Sequence, residues 1–156
     1  TLLAWSATPP VFDGPEDRNG RRNHDEAAFW RHLLDGALPY PRPVAPFVLL
    51  GDANLDPVDG DGRLGALCAL LVDPRLQDAK PKGNHGRTEP DQNGDPALDT
   101  AFYPDGPGGL RLDYVLPSAD LRVTGSGVLW PATGALAASL EAASRHRPVW
   151  VDIDLP

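Results

Sequence analysis

The sequence contains one cysteine and no methionine. Because Cys68 has no second cysteine to pair with, a disulfide within the chain is excluded, and Cys68 is expected to be a small core residue. No apolar run approaches the roughly 18 residues that a transmembrane helix needs, and no secretory signal pattern occurs. An apolar start at Thr1 without a methionine predicts that the chain was processed or excised from a longer polypeptide.

Positive charge is also scarce, with 14 lysine and arginine residues against 22 aspartate and glutamate residues. The net charge of −8 argues against a broad non-specific surface for nucleic acid or for an anionic membrane. It leaves room for a local basic pocket that binds one phosphate. A hydrophobic fraction of 41% is enough for one folded domain, while 18 prolines and 16 glycines predict that much of it is loop.

The most informative segment is a short apolar strand that ends in a polar turn. Residues 47–50 are all apolar and are predicted to form a buried strand that runs into Gly51-Asp52-Ala53-Asn54. Residues two apart on a strand point to the same side, so Asp52 and Asn54 could face one ligand. Taken in isolation, this motif is better interpreted as a simple Asx turn after a core strand.

Two later strands are also flanked by polar residues. Residues 110–116 are predicted to form a strand that contains Asp113. Residues 144–148, Ser-Arg-His-Arg-Pro, form a polar turn before a half-buried final strand at 149–154. On their own, Asp113 and His146 are best interpreted as a buried polar pair that closes two strand ends.

The amino-terminal part is predicted to contain a strand, an arginine-rich loop and a helix. The strand covers residues 1–6, and prolines and glycines make residues 8–23 a loop. The arginines of this loop, Arg22 among them, are either solvated or available to bind a phosphate. Asn23 is predicted to cap the helix that follows, with Gly36 as its stop signal.

The remaining segments are assigned from composition and periodicity alone. The expected elements begin with a short buried helix at residues 64–72 and a long loop at 73–109. They continue with a pair of strands at 121–123 and 128–130, around Gly125-Ser126-Gly127, and an alanine-rich helix at 134–143. A loop as long as the second of these is usually functional or wraps the core.

A calcium site is a further interpretation of the aspartate-rich segment after residue 51. Asp52, Asn54 and Asp56 occupy the first, third and fifth positions of a calcium-loop pattern. Pro57 and Arg63 stand where that pattern needs glycine and glutamate, so a helix-loop-helix calcium site is disfavoured. A weaker alternative is a calcium-binding structural domain built on acidic and amide side chains, namely Asp52, Asn54, Asp56, Asp59 and Asp61.

The three polar motifs together resemble the carboxyl-terminal half of the endonuclease/exonuclease/phosphatase (DNase I-like) superfamily. Its members carry Gly-Asp-x-Asn, then an x-Asp-Tyr strand, then Ser-Asp-His near the end. This chain has Gly51–Asn54, Arg111–Tyr114 and Ser144–Pro148 in the same order, and Pro15–Glu26 is similar to a bacterial branch with unassigned substrates. The superfamily includes pancreatic-type deoxyribonucleases, abasic-site endonucleases, neutral sphingomyelinases and inositol polyphosphate 5-phosphatases.

The resemblance implies an α/β fold, namely half of a four-layer α/β/β/α sandwich with mainly antiparallel sheet. Residues 1–156 would be the carboxyl-terminal half of the domain and would supply one sheet with its helices. An upstream segment, as a second chain or a missing region, would carry the main metal-binding glutamate. We therefore expect the isolated chain to be inactive.

By the same resemblance, the chain is a hydrolase of phosphoric esters that uses an activated water and Mg²⁺ or Mn²⁺. Asp52 would orient or deprotonate the water and could also contact the metal, and Asn54 would donate its amide to the phosphate. His146, held by Asp113, would hydrogen-bond or protonate the phosphoryl group. The further residues expected to bind the substrate phosphate are Arg22, Asn23 and Arg145.

The sequence departs from the superfamily pattern at two places. Arg145 stands where members usually have aspartate, and the strand at 1–6 lacks a histidine that many members carry, with Trp5-Ser6-Ala7 in its place. These departures favour an alternative, a non-catalytic binding module that kept the fold. The substrate stays open between nucleic acid, a phospholipid headgroup and a sugar or inositol phosphate. The compartment is equally open, although members of the bacterial branch are often exported.

Overall fold

The structure, a computed structural model, describes residues 1–155. It contains seven strands and three α-helices in these residues. In chain order they are β1 (Leu2–Ser6), α1 (Arg18–Asp35), β2 (Val48–Asp52), α2 (Gly65–Leu71), β3 (Ala101–Tyr103), β4 (Gly108–Leu110), β5 (Asp113–Pro117), β6 (Arg122–Val128), α3 (Ala135–Ala143) and β7 (Val149–Asp154). Across this part of the chain, no helix combines the length and the apolar character needed to span a membrane.

The central sheet has three strands in the order β1-β2-β5. β1 and β2 are parallel because α1 provides the crossover between them, while β5 runs antiparallel to β2. The two remaining sheets are the antiparallel pairs β3-β4 and β6-β7. The α/β class and the mainly antiparallel pairing are confirmed, but the expectation that the chain supplies one sheet is wrong, since its strands form three.

The hydrophobic core lies between the central sheet and the helices α1 and α2. It consists mainly of leucines with one buried tyrosine: Leu34, Leu49, Leu55, Leu67, Leu70, Tyr114 and Leu116. Tyr114 is buried with its hydroxyl satisfied by the carbonyl groups of Leu55 and Arg111, at 3.1 and 2.9 Å. Cys68, expected in the core, is half-buried on α2.

Helix α1 begins at Arg18, so the prediction that Asn23 caps it is wrong. Asp17 adopts a left-handed conformation before the first turn, and its side chain makes no capping hydrogen bond. The Asp13 carboxylate instead accepts the backbone N–H of Asn19 from outside the helix, at 2.5 Å. Because this cap lies in the preceding loop, no local pattern at position 17 marks the start. The predicted end is confirmed, with Gly36 in the left-handed conformation.

Two other assignments also differ from the sequence-based expectation. The segment 73–109 is not continuous loop, since it contains a single 3₁₀ turn at Pro96–Leu98 and the hairpin β3-β4. The expected pair of strands at 121–130 is one strand, β6, which pairs with β7. Gly127 explains this continuity, because a Cβ at this position would lie 2.8 Å from the indole of Trp150 across the pair. The glycine therefore makes room for an aromatic neighbour instead of turning the chain.

Candidate active site

The carboxyl end of β2 carries Asp52, and the chain turns immediately after it. Asn54 adopts a left-handed conformation with φ of 48°. Its backbone N–H donates to Asp52 Oδ1 and its side-chain Nδ2 donates to Asp52 Oδ2, both at 2.8 Å. Nδ2 also donates to the carbonyl of Ala7, at 2.8 Å, which ties the turn to the end of β1. The Asx turn expected from the sequence is therefore present, and it fixes both side chains.

Gly51 is required at the position before Asp52. It has φ of +148°, and a Cβ there would lie 1.9 Å from the backbone oxygen of Trp5 on β1. The close approach of the two strands at this point is possible only without a side chain. Gly51 therefore sets the distance at which β1 passes the site.

Asp113 begins β5 and lies directly opposite Asp52 in the register of the two strands. Its Oδ2 accepts a hydrogen bond from Thr100 Oγ1 at 2.8 Å and lies 2.9 Å from His146 Nδ1. Because an ionised carboxylate only accepts hydrogen bonds, the imidazole donates through Nδ1. The sequence-based expectation that Asp113 holds His146 by one ring nitrogen thus agrees with the geometry.

His146 reaches the site on a segment that pairs with β3. A single antiparallel bridge joins Ala101 to His146, and the N–H of Phe102 donates to the carbonyl of Arg145 at 3.2 Å. The imidazole is therefore positioned by backbone pairing, although Asp113 and His146 lie 33 positions apart in the chain. This pairing could not be read from the sequence because β3 is only three residues long.

Asp52, Asp113 and His146 form one electrostatic unit, with one ligand atom from each lying within 4.8 Å of the other two. Burial raises the pKa of the Asp52 carboxyl above its ordinary value, and the neighbouring charge of Asp113 raises it further. The hydrogen bond to Asp113 raises the pKa of His146, and the charges of Asp113 and Asp52 act in the same direction. A carboxyl and an imidazole whose pKa values are both raised, and that lie this close together, are suited to proton transfer.

Tyr103 and Thr100 belong to the site, although the sequence analysis did not identify them. The hydroxyl of Tyr103 lies 3.1 Å from His146 Nε2, and the guanidinium of Arg145 lies 5.4 Å from the centre of its ring. Thr100 donates to Asp113, as described above. Both residues fall in the segment that was expected to be loop, and no motif there distinguishes them from their neighbours.

Three other residues are expected to bind phosphate: Arg22 and Asn23 lie on α1, and Arg145 precedes His146 in the chain. Arg22 is exposed and forms an ion pair with Glu26 at 2.8 Å. Asn23 is 1% exposed, and its Nδ2 donates to the carbonyls of Thr8 and Ala53 at 2.8 Å each. Asn23 therefore lies beneath the turn that carries Asp52 and Asn54, whereas Arg145 lies beside Tyr103.

Two acidic residues of the calcium interpretation, Asp56 and Asp59, are turned toward backbone amides. Asp56 accepts N–H groups of Val58, Asp59 and Arg111, and Asp59 accepts those of Asn93 and Gly94. These contacts close loops and use the carboxylates as hydrogen-bond acceptors. Asp56 and Asp59 thus have a structural explanation that needs no calcium ion.

A divalent cation is compatible with part of the cluster of Asp52, Asp113 and His146. Both nitrogens of His146 are engaged, by Asp113 and by Tyr103. The carboxylate oxygens keep unused lone pairs, and oxygen is the ligand atom that Mg²⁺ and Mn²⁺ prefer. Asp52 therefore fits such an ion as an oxygen ligand, while the imidazole does not have a free nitrogen for it.

Comparison with protein families gives one match that covers most of the chain. The Endonuclease/Exonuclease/phosphatase family matches residues 3–146, which include the first two polar motifs, residues 144–146 of the third, and the cluster of Asp52, Asp113 and His146. Comparison with curated proteins and with solved structures gives no match. Members of the matching family are generally metal-dependent phosphoesterases and nucleases. The chain belongs to the endonuclease/exonuclease/phosphatase family.

Proposed function

We propose that the protein is a metal-dependent phosphoesterase that cleaves phosphodiesters or phosphomonoesters with an activated water. The observation that carries this proposal is the placement of an Asp113–His146 pair directly beside the Asp52–Asn54 turn. Phosphoester hydrolysis needs a base for water, donors for the phosphoryl oxygens and a proton for the leaving oxygen. These four side chains can supply all three.

Asp52 is the group that orients or deprotonates the attacking water. Its raised pKa makes it a better proton acceptor than an exposed carboxylate. Asp52 and Ala7 hold the Asn54 amide in one orientation and use both of its N–H groups, so Asn54 would donate to a phosphoryl oxygen by exchanging one of these two hydrogen bonds for it. Asp52 and Asn54 are thus fixed relative to each other before substrate binds, which lowers the entropic cost of reaching the transition state.

His146 provides positive charge and a proton on the other side of the phosphate. Its raised pKa favours the imidazolium form, and Asp113 holds that form by Nδ1. Arg145, and Arg22 from α1, provide further guanidinium groups for phosphoryl oxygens. Asn23 would contribute indirectly, because its amide supports the backbone between Asp52 and Asn54.

A bound Mg²⁺ or Mn²⁺ would lower the pKa of a coordinated water and neutralise charge on the phosphoryl group. Asp52 is the residue of this chain that would hold it. We propose that an upstream segment supplies the main glutamate ligand and completes the domain, so that the chain alone is inactive.

The test is hydrolysis of bis-p-nitrophenyl phosphate with Mg²⁺ or Mn²⁺, before and after EDTA, by the protein together with any polypeptide that co-purifies. We expect turnover that requires the metal and that falls by about 100-fold or more in Asp52→Ala, which removes the base for the water, and in His146→Ala, which removes the positive charge beside the phosphate. Full activity in either variant would remove that residue from the mechanism.

The second candidate is a binding module that recognises phosphate esters without cleaving them. Arg145 favours it, because a cation stands where the superfamily usually has an aspartate. Tight binding of a phosphate ester with no turnover at any divalent metal concentration would support this alternative over the enzyme.

A further inference from the structure

Tyr103 is a polar side chain that the roles above leave unused. It ends β3, and its hydroxyl lies 3.1 Å from His146 Nε2 with the two ring planes at 87°. Asp113 engages Nδ1, so the Tyr103 hydroxyl engages the one nitrogen that remains. Any proton that leaves His146 through Nε2 must therefore meet the phenolic oxygen first.

Tyr103 also lines a cavity of about 310 Å³. Tyr103 and Asn54 both line it, together with apolar residues such as Leu110 and Leu112. Among the described residues, neither His146 nor Asp52 lines it, so Asn54 and Tyr103 are the two site residues that face the cavity. Since Asn54 is the proposed donor to the phosphate, a substrate bound next to Asn54 would meet Tyr103 before His146.

The surroundings of Tyr103 suit a proton donor that must recover its proton quickly. Burial raises the pKa of Tyr103, and the charges of Asp52 and Asp113 raise it further, so the phenol is protonated at neutral pH. The guanidinium of Arg145 lies 5.4 Å from the ring centre and stabilises negative charge that develops on the phenol. Arg145 thus has a role at Tyr103 that an aspartate in its place could not have.

We propose that Tyr103 donates the proton to the leaving oxygen, and that His146 and Asp113 form a relay behind it. This proposal rests on the phosphoesterase function proposed above. Tyr103 is then a catalytic residue that contacts substrate, His146 supplies its proton, and Asp113 is a positioning residue.

The protons balance over one turnover. As water attacks phosphorus, the bond from phosphorus to the leaving oxygen breaks, and the electron pair on that oxygen takes the phenolic proton of Tyr103. The phenolic oxygen takes the Nε2 proton of the His146 imidazolium at the same time. Asp52 accepts the proton that the water loses, and exchange with solvent restores Asp52 and His146.

Leaving groups of different basicity test this relay. p-Nitrophenolate departs from bis-p-nitrophenyl phosphate without a proton, whereas glycerophosphocholine must release an alkoxide that needs one. We expect Tyr103→Phe to lower kcat for glycerophosphocholine by about 100-fold, the usual contribution of a general acid, and to leave kcat for bis-p-nitrophenyl phosphate nearly unchanged. Tyr40→Phe, which removes the hydroxyl of an exposed tyrosine, is the matched control and should affect neither ester.

The outcomes separate the relay from the function on which it rests. An equal loss with both esters would give Tyr103 a structural role, and no loss with either would remove it from the reaction. Both results overturn the relay while the wild-type protein still hydrolyses esters. A wild-type protein that cleaves neither ester, with its co-purifying polypeptide and Mg²⁺ present, refutes the proposed function and the relay with it.

A second measurement does not depend on turnover and decides the question if only the nitrophenyl ester is cleaved. Inorganic phosphate is added to the chain carrying ¹⁵N-labelled histidine, and the imidazole nitrogens are followed by NMR. The relay predicts that phosphate shifts the Tyr103 ring signals and leaves His146 Nε2 unchanged in the wild type, but shifts Nε2 in Tyr103→Phe. A phosphate-induced Nε2 shift of equal size in both proteins would overturn it.

Discussion

His146 has a different partner on each ring nitrogen, and these partners fix its orientation and its charge. Asp113 accepts from Nδ1, which favours the imidazolium. The Tyr103 hydroxyl at Nε2 can accept from the imidazolium or donate to the neutral ring, so it tolerates both protonation states. The charge on His146 is therefore controlled mainly by Asp113.

Replacing Asp113 with asparagine is expected to lower the pKa of His146 toward its ordinary value of 6.5, because the hydrogen bond to Asp113 is the largest cause of the increase. The pKa is measured by NMR titration of the imidazole in the isolated chain. Asp105→Asn removes a carboxylate from the exposed turn between β3 and β4 and should leave that pKa in place. A His146 pKa that is the same in Asp113→Asn and in the wild type would contradict the assigned cause.

The pH dependence of hydrolysis is expected to be bell-shaped. Asp52 must be ionised to accept a proton from water, so activity should rise with pH through its pKa, which lies above 3.8. His146 must be protonated to supply a proton, so activity should fall as pH rises through its pKa, which lies above 6.5. Asp113→Asn should move the alkaline limb of kcat to lower pH, and an alkaline limb that does not move would exclude His146 as its source.

At the scale of single elements, α1 is fastened to the central sheet through one buried amide. Nδ2 of Asn23 donates to the carbonyls of Thr8 and Ala53, which follow β1 and β2. Ala53 lies between Asp52 and Asn54, so α1 supports the turn that carries both. Through Asn23, the helix thus positions the site by supporting its backbone.

Asn23→Asp is expected to lower the free energy of unfolding by about 2–3 kcal/mol, because it replaces a buried donor with an acceptor and leaves two carbonyl groups unpaired. Urea denaturation followed by circular dichroism measures this change. Asn84→Asp, the same substitution at an exposed position, is the control. A loss of similar size in both variants would show that the buried amide has no special role.

The hairpin β3-β4 packs against a buried carboxyl that titrates near neutral pH. Burial raises the pKa of Asp99 to about 7, and the charges of Asp56, Asp59 and Glu89 add to this effect. Gln92 donates to both of its oxygens, at 2.8 and 3.0 Å, and to the carbonyl of Gly109 on β4, at 3.5 Å, which joins the loop before β3 to the hairpin. The hydrogen bonds from Gln92 favour the ionised carboxylate, but burial and the three neighbouring charges outweigh them, so ionisation of Asp99 destabilises the folded state.

Asp99→Asn is expected to remove a pH dependence of stability. Because the folded-state pKa is raised, the contribution of Asp99 is fully present below its ordinary value of 3.8 and is lost as pH rises through about 7. At pH 8 the wild type should therefore lose on the order of 2–4 kcal/mol relative to pH 4, a loss that the variant avoids. Urea denaturation at both pH values measures it, with Asp91→Asn at an exposed position as the control. Parallel pH profiles of wild type and Asp99→Asn would refute the assignment.

The elements that the sequence predicted correctly are those with a clear local signal. β2 follows from four apolar residues before Gly51, and α1 ends at Gly36 as expected. In β7, half-buried and exposed residues alternate, as the apolar and polar residues of its sequence predict. β3 and the path of β6 could not be predicted, because β3 has three residues and the glycines of β6 accommodate Trp150 from another strand. The Asp52, Asp113 and His146 cluster was identified through its motifs, while Tyr103 depends on β3 and has no such signal.

At the scale of the whole molecule, several apolar surfaces are uncovered. Within the described residues, β1 pairs only with β2 and β7 only with β6, so each leaves one edge open. Leu2 on β1 is 75% exposed and Trp150 on β7 is 44% exposed. None of the residues 135–143 of α3 is buried, although the helix is rich in alanine and leucine. Uncovered apolar faces and free strand edges of this kind favour association with a further segment.

We expect the active protein to contain a second segment that covers these surfaces and provides the main glutamate ligand for the metal. Intact mass and size-exclusion chromatography of the active preparation from its native source test this directly. If a further polypeptide is present, amides of β1 and β7 should be protected from hydrogen exchange in the complex and should exchange faster in the isolated chain, because their free edges would then face water. An active, monomeric preparation of the 156 residues alone would refute the half-domain proposal, whereas an inactive one that binds phosphate esters would favour the binding module.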